Sequence, residues 1–287
     1  MSLLDRIATV RRWDPDAYRP FMVEDTTLGR VSHDFATRLR DFPDAFVVSD
    51  RAVTLVPELA DFEARSAAVH EAMLALREAG ELPRWRDEFY PVVVRWGDEP
   101  WLKLERAAVP LFGVRGFGVH LNGIVRAPDG LKMWVGKRAR NKATAPGKLD
   151  HLVGGGQPYG LGVRDNLIKE CGEEAAIPPE LAGRAVAVGA VSYRCERDEG
   201  LRDDVLFVYD LALPADFRPV NTDGEIEWFE LWSFADVLAR VRDSEDFKFN
   251  VALVIIDFAV RHGMLTPDDP DYQEIVEGLR FPELEWA

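Results

Sequence analysis

Cysteine and long apolar runs are both scarce in this chain of 287 residues. Its two cysteines, Cys171 and Cys195, stand outside any CxxC or Cys/His cluster, which argues against a zinc site and favours reduced thiols over a disulfide. The most apolar stretch, 251–260, is interrupted by Asp257 and is too short to span a bilayer. The first residues, 1–6, contain no apolar run of signal-peptide length. We therefore predict a cytoplasmic protein without a membrane segment.

Basic residues are also fewer than acidic residues. The chain has 35 Lys and Arg against 50 Asp and Glu, which gives a net charge of −15 and a pI of about 4.8. A field of that sign repels polyphosphate backbones, so we expect a small-molecule ligand and no nucleic-acid partner. The sequence leaves the oligomeric state open, with a homodimer as one candidate.

The segment 126–148 reverses this sign locally, with seven basic residues and the single acid Asp129. Charge-assisted hydrogen bonds from such residues could hold phosphate groups. The candidates are Lys148, which directly precedes a predicted strand, and Arg138. An ordinary basic loop on a solvated hairpin explains the segment equally well.

Several catalytic signatures are absent from the sequence: GxSxG, GxxxxGK[ST], HExxH and GxGxxG. These absences argue against a serine hydrolase with a nucleophile elbow, a P-loop enzyme, a zinc protease of the HExxH type and a dinucleotide-binding fold. The run Gly154-Gly155-Gly156 does not have the dinucleotide spacing. Of the histidines, His120 and His151 fall on predicted strands, where a structural role is the more common one.

The predicted secondary structure changes from mixed α/β to strand-rich near a junction at Pro110–Gly113. Residues 1–112 form a predicted N-terminal mixed α/β module, and residues 113–287 form a predicted strand-rich domain. In the module we predict strands at 45–48, 53–56 and 90–96 and a helix at 61–80. In the second domain we predict a hairpin of 117–125 and 131–137, strands at 185–193 and 205–211, and helices at 234–241 and 249–262.

A helix is predicted from Val163 to the Pro178-Pro179 pair, and three carboxylates share one of its faces: Glu170, Glu173 and Glu174. They repel one another and lie toward the helix C-terminus, where the macrodipole disfavours anions. A bound divalent cation would reverse that balance. On spacing alone, a solvated acidic face is the stronger interpretation.

This stretch resembles the box of the Nudix hydrolases, which runs Gly, five residues, Glu, seven residues, then Arg-Glu-apolar-x-Glu-Glu-x-Gly-apolar. Gly155 and the run from Lys169 to Ile177 align with it. Three positions differ, because Leu161 replaces the first Glu, Lys169 the Arg and Ala176 the second Gly. The wider sequence is similar to a Nudix subfamily that has an extra N-terminal domain and is related to the Nudix part of fungal thiamine pyrophosphokinase proteins. The segments that carry this similarity are 149–161, 166–171, 190–193, 207–210, 223–227 and 86–92.

The resemblance implies an α+β fold with a mixed β-sheet between helices, the Nudix fold. It also implies Mg²⁺ or Mn²⁺ held by Glu170, Glu173 and Glu174, with Glu173 or Glu174 as the base, and Gly155 and Lys169 as the scaffold of the box. The implied substrate is thiamine diphosphate or its oxidised or damaged analogues, cut to the monophosphate. Two alternatives remain open: a nucleoside diphosphate derivative as the substrate, and a Nudix domain that senses a ligand without cutting it.

Two further groups of residues complete the predicted site. Glu225 and Glu227 lie on one face of a predicted strand, and Glu225 is an additional candidate metal ligand, with a solvent-facing strand edge as an equal alternative. Trp85 and Tyr90 are the candidates for contacting the rings of the substrate by stacking and cation–π attraction. Core or inter-domain packing is the common role of such aromatic residues.

Overall fold

The computed structural model describes residues 2–82, 84–142 and 144–280. Its N-terminal part contains a four-stranded sheet of order β2-β1-β4-β3 and a separate two-stranded hairpin of β5 and β6. The longest helix here, α3, begins after Asp61, whose carboxylate accepts a hydrogen bond from the Ala64 N–H. The elements are α1 (Leu3–Thr9), a 3₁₀ turn (Pro15–Ala17), β1 (Tyr18–Val23), β2 (Thr26–Ser32), α2 (His33–Leu39), β3 (Phe46–Val48), β4 (Val53–Leu55), α3 (Phe62–Glu78), β5 (Phe89–Val92), β6 (Leu102–Glu105) and α4 (Val109–Phe112).

The second part is built on one mixed sheet of order β11-β12-β7-β8-β13, with β10 paired to β7 and β9 to β8. Strands β7 and β12 are parallel, and the other pairs are antiparallel. The elements are β7 (Arg115–Ala127), β8 (Gly130–Arg138), β9 (Leu149–Asp150), β10 (Val153–Gly156), α5 (Val163–Ala175), α6 (Pro179–Ala182), β11 (Val186–Arg197), β12 (Gly200–Ala212), β13 (Ile226–Ser233), α7 (Phe234–Asp243), α8 (Phe249–Arg261) and α9 (Tyr272–Gly278).

Helices cover both faces of this sheet. On one face, Val119 of β7 lies in a buried cluster with Leu167 and Cys171 of α5. On the other face, Val208 of β12 lies in a buried cluster with Ile256 of α8. The predicted α+β architecture, a mixed sheet between helices, is confirmed.

The first helix belongs to the N-terminal part by sequence but packs against the second part. Helix α1 packs on α8 and α9, and its residues Leu3 and Ile7 belong to the same buried cluster as Phe258 of α8. The rest of the N-terminal part has its own core, in which Phe112 contacts Phe21 edge to face. The boundary between 112 and 113 stays a prediction, and the packing of α1 ties the two parts together.

Candidate active site

A strand of three glycines, Gly154–Gly156 in β10, runs through the centre of the site. A Cβ on Gly155 would overlap the carboxylate of Glu170, and a Cβ on Gly156 would overlap the hydroxyl of Tyr90. On Gly154 it would lie 2.9 Å from Cε1 of His151. Side chains alternate between the two faces of a strand, so Gly155 faces α5 while Gly156 faces the N-terminal part. Glycine is therefore required here to let the backbone approach both.

The predicted carboxylates of α5 have three different environments. Glu174 is 8% exposed and accepts a hydrogen bond from the Gly154 N–H at 2.9 Å. Glu170 packs against Gly155, with its side chain 14% exposed. Glu173 is half exposed, and its carboxylate lies 2.6 Å from Nζ of Lys169, which also lies 3.4 Å from Glu170. The ammonium of Lys169 is thus shared between the carboxylates of Glu170 and Glu173.

Helix α5 has its C-cap at Ala176, one of the three positions that differ from the box. Ala176 stands where the box has its second glycine, and it adopts the left-handed conformation with φ 52° and ψ 34°. Its N–H bonds to the Gly172 carbonyl at 3.2 Å, and the Ile177 N–H bonds to the Cys171 carbonyl at 3.0 Å. The turn that glycine usually supports is therefore made by alanine.

A second acidic segment approaches the box helix just before β13. One ligand oxygen each from Glu174, Asp223 and Glu225 lie within 4.8 Å of one another. Oδ1 of Asp223 accepts a hydrogen bond from the Glu225 N–H at 2.8 Å, and Glu225 forms an ion pair with Lys142. The structure thus brings the predicted Glu225 to Glu174 and adds Asp223, which sequence analysis missed. Its only signal was the turn sequence Asp-Gly-Glu, which does not show what the turn faces.

The electrostatics of this cluster favour a bound cation. Burial, with the charges of Glu170, Asp150 and Glu225, raises the pKa of Glu174 well above its usual value, against the opposing hydrogen bond from Gly154. Burial likewise raises the pKa of Glu170. For Glu225 burial acts in the same direction, but the hydrogen bond and charge of Lys142 outweigh it and lower the pKa. Oxygen ligands crowded in this way are the donor set that a hard divalent cation takes.

A cavity of about 160 Å³ lies between the two parts of the molecule, against the glycine strand. Tyr90, which is buried against Gly156, and Phe117 supply its aromatic wall. Five cationic side chains line it against two acidic ones, Glu199 and Asp204. The cationic residues are Arg84, Arg86, Arg106, Arg202 and Lys248.

Two neighbouring spaces share walls with this cavity. A chamber of about 500 Å³ shares Arg84 and Lys248 with it and is lined further by Lys148 and Phe249. A cleft of about 310 Å³ shares Arg84 and contains Trp85 together with Asp223 and Glu225. Arg84 and Arg86 therefore line both the cationic cavity and the cleft that contains two of the clustered carboxylates.

The predicted ring-contacting residues both border these spaces. Tyr90 lines the cavity, and Arg106 lies over its ring at 5.7 Å. Trp85 lines the cleft, where its indole N–H donates to Asp87 at 2.6 Å and Arg77 lies over its ring at 4.9 Å. The outer surface of Trp85 is thus partly covered by its own part of the chain.

The predicted phosphate-binding cations lie elsewhere. Arg138 is buried, with Nη1 2.7 Å from Asp150 and Nη2 donating to the Thr144 carbonyl at 2.9 Å, so it secures a loop. Lys148 lines the larger chamber, and its ammonium donates to the Glu245 carbonyl at 2.7 Å. Neither lines the cationic cavity.

A buried histidine pair adjoins the glycine strand. Nδ1 of His120 lies 2.6 Å from Nε2 of His151, whose Nδ1 is 3.1 Å from Asp150. The last contact is close but does not meet the geometry of a hydrogen bond. His120 lines the cavity, although its sequence context had favoured a structural role.

Comparison with known proteins gives the family. A family model described as a domain of unknown function (DUF4743) matches residues 2–116. Nudix hydrolase 20, chloroplastic, of Arabidopsis thaliana is 43% identical over 270 residues, which cover 91% of this chain and 72% of that protein. Nudix hydrolase 24, chloroplastic, of the same plant is 45% identical over 264 residues, with the same coverage of both chains. The chain therefore belongs to the Nudix hydrolase family and is an enzyme of that family.

A solved structure gives a weaker likeness. The MutT protein from Methanosarcina mazei shares 19% identity, with an alignment that covers 52% of this chain and 95% of that chain at a TM-score of 0.40. The family assignment rests on the plant relatives. The link to fungal thiamine pyrophosphokinase proteins stays a prediction.

The prediction of a cytoplasmic protein is wrong by this comparison, because both plant relatives are named as chloroplastic. That prediction rested on the lack of an apolar signal-peptide run, which is no guide to import into an organelle, since transit peptides are amphipathic and rich in Arg and Ser. None of the helices within 2–82, 84–142 and 144–280 has the length and apolar content needed to cross a membrane.

Proposed function

We propose that this enzyme hydrolyses the diphosphate group of a small molecule with the help of Mg²⁺ or Mn²⁺. The observation that carries the proposal is the convergence of Glu174, Asp223 and Glu225 within 4.8 Å. Glu170, also of α5, packs against Gly155 of the glycine strand. Such a donor set suits a hard divalent cation. When bound, the cation would neutralise phosphate charge and acidify the attacking water.

Different carboxylates would bind the cation and take the proton of the attacking water. Glu174, Asp223 and Glu225 would hold the cation. Glu174 and Glu173 are the two base candidates from the sequence, and Glu173 is the one that is half exposed and outside the three-carboxylate cluster. Glu173 would take the proton of the attacking water, and Lys169 at 2.6 Å holds its carboxylate in place.

The substrate we propose is thiamine diphosphate, preferentially in oxidised forms that lack the thiazolium charge. The cavity beside the glycine strand has five cationic and two acidic side chains, so it attracts phosphate and repels a second cation. An uncharged ring can still stack on Tyr90 or Phe117. At about 160 Å³ the cavity suits the phosphate end, since drug-sized ligands need about 300–1,000 Å³. The chamber of about 500 Å³ next to it would take the organic end.

The test is a hydrolysis assay on the full chain with a panel of diphosphates. The panel contains thiamine diphosphate, an oxidised analogue without the thiazolium charge, and a nucleotide sugar as the nucleoside alternative. We expect the highest kcat/KM for the oxidised analogue, with Mg²⁺ or Mn²⁺ required. Faster cleavage of the nucleotide sugar would replace the thiamine assignment.

The variant Glu174→Gln keeps the shape of the side chain but removes its charge. We expect kcat to fall by about 100-fold or more, because the residue would both bind the cation and border the reacting phosphates. The matched control is Glu180→Gln, which removes an exposed carboxylate of α6 and should leave kcat unchanged. Equal activity of the two variants would refute the proposed site, and a ligand sensor would show no turnover in any form.

A further inference from the structure

We propose that the N-terminal part supplies the substrate's phosphate-binding arginines, Arg84, Arg86 and Arg106, and so completes the active site of the Nudix domain. This inference rests on the proposed function, since it takes the bound anion to be the diphosphate of the substrate. It gives a task to the segment that matches a domain of unknown function, residues 2–116.

Arg86 gives the clearest support. It is exposed, and among the described residues its guanidinium has neither a hydrogen-bond nor an ion-pair partner. It nevertheless lines both the cavity formed by Gly154–Gly156 and the cleft that contains Asp223 and Glu225. A cation at the border of these two spaces can contact a phosphate group whose other oxygens face the carboxylate cluster.

Arg84 occupies the junction of all three spaces. It lines the cavity, the cleft and the larger chamber. Its nearest acidic partner, Glu199, is 3.5 Å away, and the Arg84 side chain is 43% exposed. The contact is long, and Glu199 is also paired with Arg202 at 2.9 Å, so the guanidinium of Arg84 can turn to a bound anion at small cost.

Arg106 lines the cavity beside the glycine strand. Its Nη1 lies 2.8 Å from Glu88, which holds the guanidinium above the ring of Tyr90. Tyr90 packs directly against Gly156 of the glycine strand. The charge of Arg106 is thus held next to the strand that borders the box helix.

The remaining cations of the Nudix part explain why this contribution is needed. In the basic segment that the sequence singled out, Arg138 is paired with Asp150, and Lys142 is paired with Glu225. Arg202 in the cavity is paired with Glu199 and Asp204. These cations are already engaged, whereas Arg86 has no such partner among the described residues and brings a planar fork that matches phosphate oxygens.

The test measures binding of inorganic pyrophosphate to the full chain by calorimetry without divalent cations, so that no catalysis enters. We expect Arg86→Gln to raise the Kd by about tenfold and the double variant R84Q/R86Q to raise it further, because hydrogen bonds between charged groups are lost. Arg86→Lys should fall between the wild type and Arg86→Gln, because it keeps the charge without the fork. The matched control is Arg51→Gln, an exposed arginine of the same part that lines none of these spaces.

A second readout separates this inference from the proposed function. In the hydrolysis assay, Arg86→Gln should raise KM more than it lowers kcat. Glu174→Gln should lose turnover yet still bind pyrophosphate at least as tightly as the wild type. Loss of affinity in Arg86→Gln with no hydrolysis of any diphosphate would support the anion site and refute the function. Equal pyrophosphate affinity in Arg86→Gln, Arg51→Gln and the wild type, or no binding to the wild type, would overturn the inference.

Discussion

The acidic and the cationic sides of this site are built in different ways. The acidic side comes from the Nudix part alone, where Glu174 of α5 meets Asp223 and Glu225 just before β13. The cationic side is shared, because Arg84 and Arg86 enter from the N-terminal part and Lys248 from the start of α8. The first side therefore needs only the fold of one domain, whereas the second depends on how the N-terminal part packs on the Nudix part.

The largest expected effect comes from breaking the acidic side. In the double variant D223N/E225Q two of the three clustered carboxylates lose their charge, so cation affinity should fall sharply. We expect kcat/KM at about 1 mM Mg²⁺ to drop by about 100-fold, within the range that metal contributions span. Raising the Mg²⁺ concentration should restore part of the activity.

The measurement is a Mg²⁺ titration of initial rates, with pyrophosphate binding as the control. The cationic side is intact in this double variant, so pyrophosphate should bind as in the wild type or more tightly. An unchanged Mg²⁺ requirement would show that Asp223 and Glu225 do not hold the cation.

The next effect concerns the glycine strand, which joins the two sides. In Gly156→Ala the new methyl group would overlap the hydroxyl of Tyr90, which is 7% exposed and has little room to move. We expect a loss of about 1–3 kcal/mol in the free energy of unfolding, the usual cost of overpacking, and weaker activity. Chemical denaturation measures the first and the hydrolysis assay the second.

Two further variants test whether the loss of stability in Gly156→Ala comes from the contact with Tyr90. Gly172→Ala lies inside α5, where no neighbour in the described part of the chain is within 4 Å of the new Cβ, so it should raise stability by about 0.5–1 kcal/mol. Adding Tyr90→Leu to Gly156→Ala should recover part of the lost stability. If Gly156→Ala is as stable as the wild type, the close approach of Tyr90 to the glycine strand is wrong.

The contrast between local sequence signals and the packing of distant segments also explains which parts of the fold could be predicted. The hairpin of β7 and β8 and helix α8 were confirmed because alternation, a Pro-Asp-Gly turn and a long apolar run are local signals. The pair β1–β2 was missed, since a register shift between Phe21 and Met22 interrupts the alternation and Pro20 lies within β1. Strand β5 ends at Val92, four residues before the predicted end at Trp96, where a turn follows instead.

In the candidate site, the sequence located residues but not their partners. Glu174 and Glu225 were predicted separately, and only folding shows that they meet. Arg138 was a candidate for binding phosphate, and the sequence does not show its pairing with Asp150, twelve positions away, because that pairing depends on the register of β8 and β9. Arg86 was named only within the similar segment 86–92 and not as a site residue, since it lies outside the Nudix box and reaches the site only through packing of the N-terminal part.

The smallest expected effect concerns Lys248, on the cationic side. Burial lowers the pKa of this lysine to about 8, with Arg138 and Arg202 acting in the same direction and Asp150 opposing. The histidine that faces it, His120, has its own pKa held well below the usual value by burial, so it stays neutral through this range. Below pH 8 the Lys248 ammonium should attract a bound diphosphate, and this attraction should be lost as the pH rises through the pKa.

The measurement compares pyrophosphate affinity in the wild type and in Lys248→Met from pH 7 to 9.5. Both proteins meet the same protonation state of the ligand, so the ratio of their Kd values isolates Lys248. We expect Lys248→Met to bind about three- to tenfold more weakly at pH 7, a modest share of what a charged hydrogen bond contributes, with the ratio falling as the pH rises above 8. The control Lys248→Arg keeps its charge over the whole range, so it should bind at all pH values without that decline. A ratio that is constant with pH would show that Lys248 does not titrate beside the bound anion, and a ratio of one at pH 7 would remove it from the cationic side.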